Sequence, residues 1–167
     1  MSEKKGVFEA ELLSQLPRLR RFCLALTAAA HDADDLMQAT VERLLTKRPP
    51  DDANLTKWMF RVCRNIWIDE IRARKVRTAS DIDEAAPTLP TGGEGDVLAR
   101  LTLSEVNAAM GRLSDDQRAI VSLVAVEGYS YKETAEILDL PIGTIMSRLS
   151  RARVALAEQF DAHETLH

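Results

Sequence analysis

The chain has 167 residues, 46% hydrophobic and 29% charged, with a formal net charge of −4. That is ordinary globular composition, and the length allows one or two small domains. No apolar run approaches the roughly 20 residues of a membrane span, and the opening MSEKKGVFEAELL lacks a signal peptide's apolar core, so a soluble, cytoplasmic chain is expected.

Residues 9–30 read as one helix, in which Leu12, Leu16, Leu19, Cys23 and Leu26 step by four and three into an apolar stripe. Arg18 and Arg21 fall on the polar side, and Pro17 marks either a kink or a later start. Cys23 and Cys63 are the only cysteines, each inside an apolar helical pattern. Without a CxxC motif they read as buried reduced thiols, a disulfide between them being the less favoured alternative. His31, His163 and His167 have no metal-ligand spacing with them, so no metal site is expected.

A second helix is expected to open on Asp32 as N-cap and to run through Leu36, Met37, Thr40, Val41, Leu44 and Leu45 to about Thr46. Its outer face carries Asp35, Gln38, Glu42 and Arg43, which by composition alone is a solvated face without a partner. The stretch KRPPDDANLTK (47–57) reads as a loop. A third helix follows from about Asn54 to Arg77, with Trp58, Met59, Val62, Cys63, Ile66, Trp67 and Ile71 on its apolar side. Lys57, Arg61, Arg64, Asn65, Arg72 and Arg74 lie elsewhere on it. Basic residues among aromatic ones suit single-stranded nucleic acid, whose bases stack while its phosphates pair. The alternative is that Trp58 and Trp67 are core residues with exposed edges.

From Thr78 to Gly95 helical periodicity is lost, prolines and glycines punctuate the chain, and all the charge is acidic. That is a flexible linker, dividing the chain into two all-α domains, 1–78 and 96–167, on either side of residues 79–95. Asp96 to Met110 reads as a helix ended by Gly111. Ser114 and Gln117 stand in capping-box spacing before a mostly apolar helix through Ile120, Val121, Leu123, Val124 and Val126, which Gly128 stops.

Gly128–Arg153 then reads as a helix-turn-helix. Ser130 and Glu133 form a second capping box, Ala135, Ile137, Leu138 and Leu140 supply an apolar surface, and Asp139 to Gly143 breaks the pattern around Pro141. In the following helix Ile142, Ile145, Leu149 and Ala152 recur at helical spacing, opposite Thr144, Ser147, Arg148, Arg151 and Arg153. Such a helix suits a DNA major groove, and a surface hairpin with a solvated basic face is the alternative. A free-standing DNA binder is usually basic, whereas here the basic helix over 57–77 sits on an acidic chain. DNA binding that depends on a partner is therefore expected.

Three of these stretches resemble, in order, the signatures of extracytoplasmic-function (ECF) sigma factors, the small sigma-70-type initiation factors of bacterial RNA polymerase. DADDLMQ (32–38) is similar to the family's DAEDLVQ. WMFRVCRN (58–65), with Asp69 and Arg72, is similar to WLYRIARN…D..R, and LPIGTIMSRLSRAR (140–153) to VPxGTVKSRLxRAR. The resemblance implies an all-α protein that binds core RNA polymerase (β′ and β subunits), promoter DNA and an anti-sigma factor, with no cofactor, no small-molecule substrate and no enzymatic activity. It implies that the second helix docks on the β′ clamp helices through Asp35 and Gln38, with Arg43 nearby. Lys57, Trp58, Arg61, Arg64, Asn65, Arg72 and Arg74 would melt and capture the −10 element, and the loop from Pro49 to Lys57 would hold a flipped base. Thr144, Ser147, Arg148, Arg151 and Arg153 would read the −35 element, and the acidic linker would thread towards the polymerase active-site channel. Met146 departs from the family's usual lysine, Ser150 from its frequent histidine, and the 47–57 loop lacks the usual FRG-like lead-in. A sigma-like decoy that only titrates an anti-sigma factor is the competing reading; Arg61, Arg64, Arg72 and Arg74 argue against it.

Overall fold

Three helices make up the N-terminal half, α1 (Ser2–Thr27), α2 (Ala30–Thr46) and α3 (Leu55–Thr78). The computed structural model describes residues 2–79, 105, 106 and 108–164, with side chains to 159, and no strand occurs among the described residues. The expected linker beyond residue 79 and most of the expected 96–110 helix lie outside them. The described part of that helix, residues 105, 106 and 108–111, is helical and ends at Gly111.

All five apolar positions of the predicted α1 stripe turn inward, joined by Phe22. The helix begins earlier than expected and runs straight through Pro17. Proline has no N–H to donate to the carbonyl four residues back, which is that of Leu13. Leu13 is exposed, so water can satisfy that carbonyl. Ala28, at φ 56°, turns the chain sharply, and the Thr27 hydroxyl steadies the corner by donating to the Cys23 carbonyl at 2.8 Å.

The N-cap of α2 is Ala29 rather than Asp32, because the turn at Ala28 already sets Ala29 extended and starts the helix three residues sooner. Asp32 sits instead in the first turn, where its charge suits the helix dipole. Its carboxylate takes Arg74 of α3 at 2.7 Å, and Arg74 also reaches Glu70 at 3.1 Å and lies 5.2 Å over the Trp67 ring. The Arg74 hydrogen bonds outweigh burial and hold the Asp32 carboxyl below its usual range. A carboxyl lowered on folding contributes stability that is complete above the unfolded value of about 3.9 and is lost as pH falls through the lower folded value. Asp32→Asn should therefore melt below the parent at pH 7, and the gap should narrow as pH falls below about 4. A constant offset across that range would show that charge is not what the clasp contributes.

Asn54 caps α3 by accepting the Lys57 N–H at 3.1 Å. Cys23 and Cys63 are fully buried free thiols with sulfurs 3.5 Å apart, in contact but not bonded. The hydrogen bond between them and then burial push the Cys23 thiol well above its ordinary pKa, which keeps it out of the reactive thiolate form.

The C-terminal half carries α4 (Asp115–Val121), α5 (Tyr131–Leu138) and α6 (Ile142–Glu164). Both predicted capping boxes are complete: Ser114 with Gln117 opens α4, and Ser130 with Glu133 opens α5. The predicted single helix through Val126 instead widens into a π turn over Ser122–Val126, leaving Val126 exposed. Gly128, at φ +77°, then lets the chain double back, a conformation that a side chain would strain. Asp139, left-handed at φ 53°, closes α5, and Pro141 starts α6 by accepting the N–H groups of Thr144 and Ile145. Ile145, Leu149 and Ala152 are buried as expected, whereas Ile142 is 48% exposed. Residue 142 lies at the very start of the helix, where α6 has not yet come under α5.

One hydrophobic cluster runs through both halves. Phe60 of α3 stands at the join, 4.8 Å from the Phe22 ring and 6.0 Å, edge to face, from Tyr129.

Candidate nucleic-acid interface

The basic residues of α3 divide by what they touch. Lys57, Arg61 and Arg64 share one face, and all three reach into the C-terminal half. Lys57 Nζ lies 3.2 Å from Glu133 Oε2. Arg61 donates from Nε to the Ile137 carbonyl at 3.1 Å and from its terminal nitrogen to the Glu136 carbonyl. Arg64 donates to the Leu138 carbonyl at 3.2 Å and to Asp116 Oδ1 at 3.0 Å. The last carbonyls of a helix lack intrahelical donors and carry the negative end of its dipole, so two guanidinium groups at the C-terminus of α5 are well matched.

Trp58, Asn65 and Arg72 follow one another at intervals of seven residues, two helical turns, and so form a row beside that of Lys57, Arg61 and Arg64. Asn65 and Arg72 are exposed and Trp58 is half-buried against the core. Trp67, by contrast, is buried, so only Trp58 keeps an open edge. Arg74 is tied to α2 as described above.

Of the α6 residues expected to contact DNA, Ser147, Arg151 and Arg153 are outward and Thr144 is half-buried. Arg153 touches the Tyr131 hydroxyl at 3.4 Å. Arg148 is turned sideways, 2.7 Å from Asp116 Oδ2. One carboxylate therefore holds an arginine of α3 on one oxygen and an arginine of α6 on the other. A second junction lies at Glu127, just after the π turn: its side chain is 1% exposed and takes Arg18 and Arg21 of α1, each at 2.8 Å. Arg18 also lies 5.7 Å over Phe60 and 5.9 Å over Tyr129.

Asp35 and Gln38 are exposed and adjacent on the outer face of α2, with Arg43 exposed in its last turn. Asp35 borders a groove of about 230 Å³ lined also by Asp32, Leu36, Ala39, Ile66, Trp67, Glu70 and Arg74. No helix among the described residues is long and apolar enough to cross a membrane.

Sequence reasoning missed the parts played by Asp116, Glu127, Arg18 and Arg21. Asp116 lies inside a capping box, which already explains an acid there, and Glu127 is a single acid beside a glycine. Neither carries a signal of partners 50 to 110 residues away.

Residues 12–77 match the sigma-70 region 2 family and residues 103–156 the sigma-70 region 4 family. The chain is 36% identical over 150 residues to the ECF RNA polymerase sigma factor EcfG of Rhodopseudomonas palustris, covering 88% of this chain and 81% of that protein. It belongs to the ECF RNA polymerase sigma factors. Among solved structures, this ECF sigma factor superimposes on the sigma factor RpoE of Bartonella quintana, crystallised with the anti-sigma factor NepR. The TM-score is 0.75 at 32% identity, over 92% of this chain and 96% of that one. The anti-anti-sigma factor PhyR of the same organism shares the fold alone: TM-score 0.63, 18% identity, 91% of this chain and 50% of that one. In this ECF sigma factor α1 to α3 fall within the region 2 match or overlap it, and α4, α5 and most of α6 lie within region 4.

Proposed function

We propose that this ECF sigma factor binds core RNA polymerase through the outer face of α2 and carries it to promoters through two DNA surfaces. Residues 1–78 act at the −10 element, residues 96–167 at the −35 element, and residues 79–95 join them. The observation that carries this reading is that exposed DNA-competent side chains stand on both halves, Asn65 and Arg72 on α3 and Ser147 and Arg151 on α6. A decoy for an anti-sigma factor needs neither set, and the superposed sigma factor is 32% identical against 18% for the anti-anti-sigma factor. The protein works in the cytoplasm, where polymerase and promoter DNA are.

The two halves are closed on each other. Lys57, Arg61 and Arg64 are engaged with the C-terminal half, so their use at a promoter requires the two halves to part. A partner that holds both halves, as NepR accompanies the B. quintana sigma factor, would keep the protein closed or occupy the same groups. Core polymerase would hold them apart.

The deciding experiment is transcription of a genomic promoter library by core polymerase with and without this chain. Chain-dependent transcripts are expected; their absence, with binding to an anti-sigma factor retained, would establish the decoy instead. Replacing both Asp35 and Gln38 with alanine should lower affinity for core polymerase about tenfold or more, the scale of two interface residues worth roughly 1 kcal/mol each. Both are exposed, so the melting temperature should hold. Unchanged core affinity would refute the assignment of that face.

A further inference from the structure

The first two turns of α6 face outward without a charge. Ile142 is 48% and Met146 51% exposed, and at a spacing of four they share one face. Gly143 and Ser147 lie beside them, and a Cβ added at Gly143 would meet nothing within 4 Å. The arginine that falls in these turns, Arg148, is drawn aside to Asp116. The cations that do face outward, Arg151 and Arg153, come later in the helix.

This is the end of a recognition helix that meets base edges when the helix enters the major groove. Arginine and lysine there would select guanine, and asparagine or glutamine adenine. An isoleucine and a methionine can do neither. The one apolar group displayed in the major groove is the thymine C5-methyl. Methionine, unbranched and polarizable, suits a contact whose exact position varies with the groove. A single exposed apolar side chain would mean little. Two on one face, at the reading end, beside an open glycine and without a competing charge, define a chemistry.

We propose that Ile142 and Met146 form a thymine-methyl reader, so that this sigma factor's −35 preference includes at least one A·T pair selected by its methyl group. The proposal rests on the reading of the chain as a sigma factor whose α6 enters the major groove. The later arginines supply the phosphate contacts, and the apolar pair supplies discrimination that a lysine at position 146 would not.

The test uses the complete chain in holoenzyme with core polymerase. A −35 segment is selected from a randomised promoter library, and each thymine in the winner is then replaced singly with deoxyuridine, which removes only the methyl. Promoter binding should weaken about fourfold at one or two positions, the scale of one methyl group taken out of water. In Met146→Ser or Ile142→Ser holoenzyme the penalty at the matching position should drop below about twofold, and Met146→Leu should keep it. Both residues are exposed, so the variants should fold; circular dichroism and binding to core polymerase verify this. A selected segment without thymine, or a deoxyuridine penalty equal in parent and serine variants, would overturn the methyl reader while leaving the sigma reading intact. A holoenzyme that selects no promoter at all would overturn both.

Discussion

Phe60→Ala should lower stability by about 3–5 kcal/mol, the range for emptying a buried aromatic site. For a chain of this size that is a fall on the order of 10 °C in melting temperature. Phe60 is fully buried, with the Phe22 ring on one side, Tyr129 edge-on from the other half of the chain, and the Arg18 guanidinium above it. Truncation leaves a cavity in a cluster shared by both halves, so neither can close it without shifting against the other. The loss should thus appear in a single unfolding transition monitored by both helix content and aromatic fluorescence. Phe60→Leu, which refills most of the volume, should recover more than half of it. A Phe60→Ala loss below about 1 kcal/mol would mean that the halves do not share a core in solution.

What could be read in the sequence was what is local. Ser114 with Gln117 and Ser130 with Glu133 close their capping boxes as predicted, because a box is decided within four residues. The α1 stripe and the buried Ile145, Leu149 and Ala152 followed from periodicity, which reports which face is inside but not what covers it. The errors arose where a long-range contact or a backbone irregularity outweighed a local preference. Asp32 looked like an N-cap and is a partner of Arg74, 42 residues away. The apolar run through Val126 looked like plain helix, and hydrophobicity gives no warning of a π turn. At the candidate site the basic residues of α3 and α6 were found, but not their division into engaged and outward-facing groups. That division depends on Asp116, on the carbonyls at the end of α5, and on how the halves meet. None of these has a period or a motif.

The closed arrangement itself can be tested at Glu127. Its carboxylate, 1% exposed, accepts from both Arg18 and Arg21 of α1, and Glu127→Gln keeps the shape while removing the charge. Hydrogen bonds to a charged group are worth about 1.5–3 kcal/mol. The two arginines are 34% and 51% exposed, so solvent screens part of that, and a loss of about 2 kcal/mol is expected. Most of it should fall on the contact between the halves, visible as a larger radius of gyration by X-ray scattering. Opening also releases Arg61 and Arg64. If the free chain is mostly closed, its affinity for DNA is reduced by the small fraction that is open, and a shift of 2 kcal/mol raises that fraction up to about 30-fold. Binding of the free chain to a mixed-sequence DNA duplex at low salt should therefore tighten while the protein becomes less stable. Lys57→Gln, which breaks only a partly exposed pair with Glu133, should leave the radius of gyration unchanged. A purely structural role for Glu127 would weaken stability and DNA binding together; opposite signs would mean that the buried carboxylate keeps Arg61 and Arg64 engaged until a partner parts the two halves.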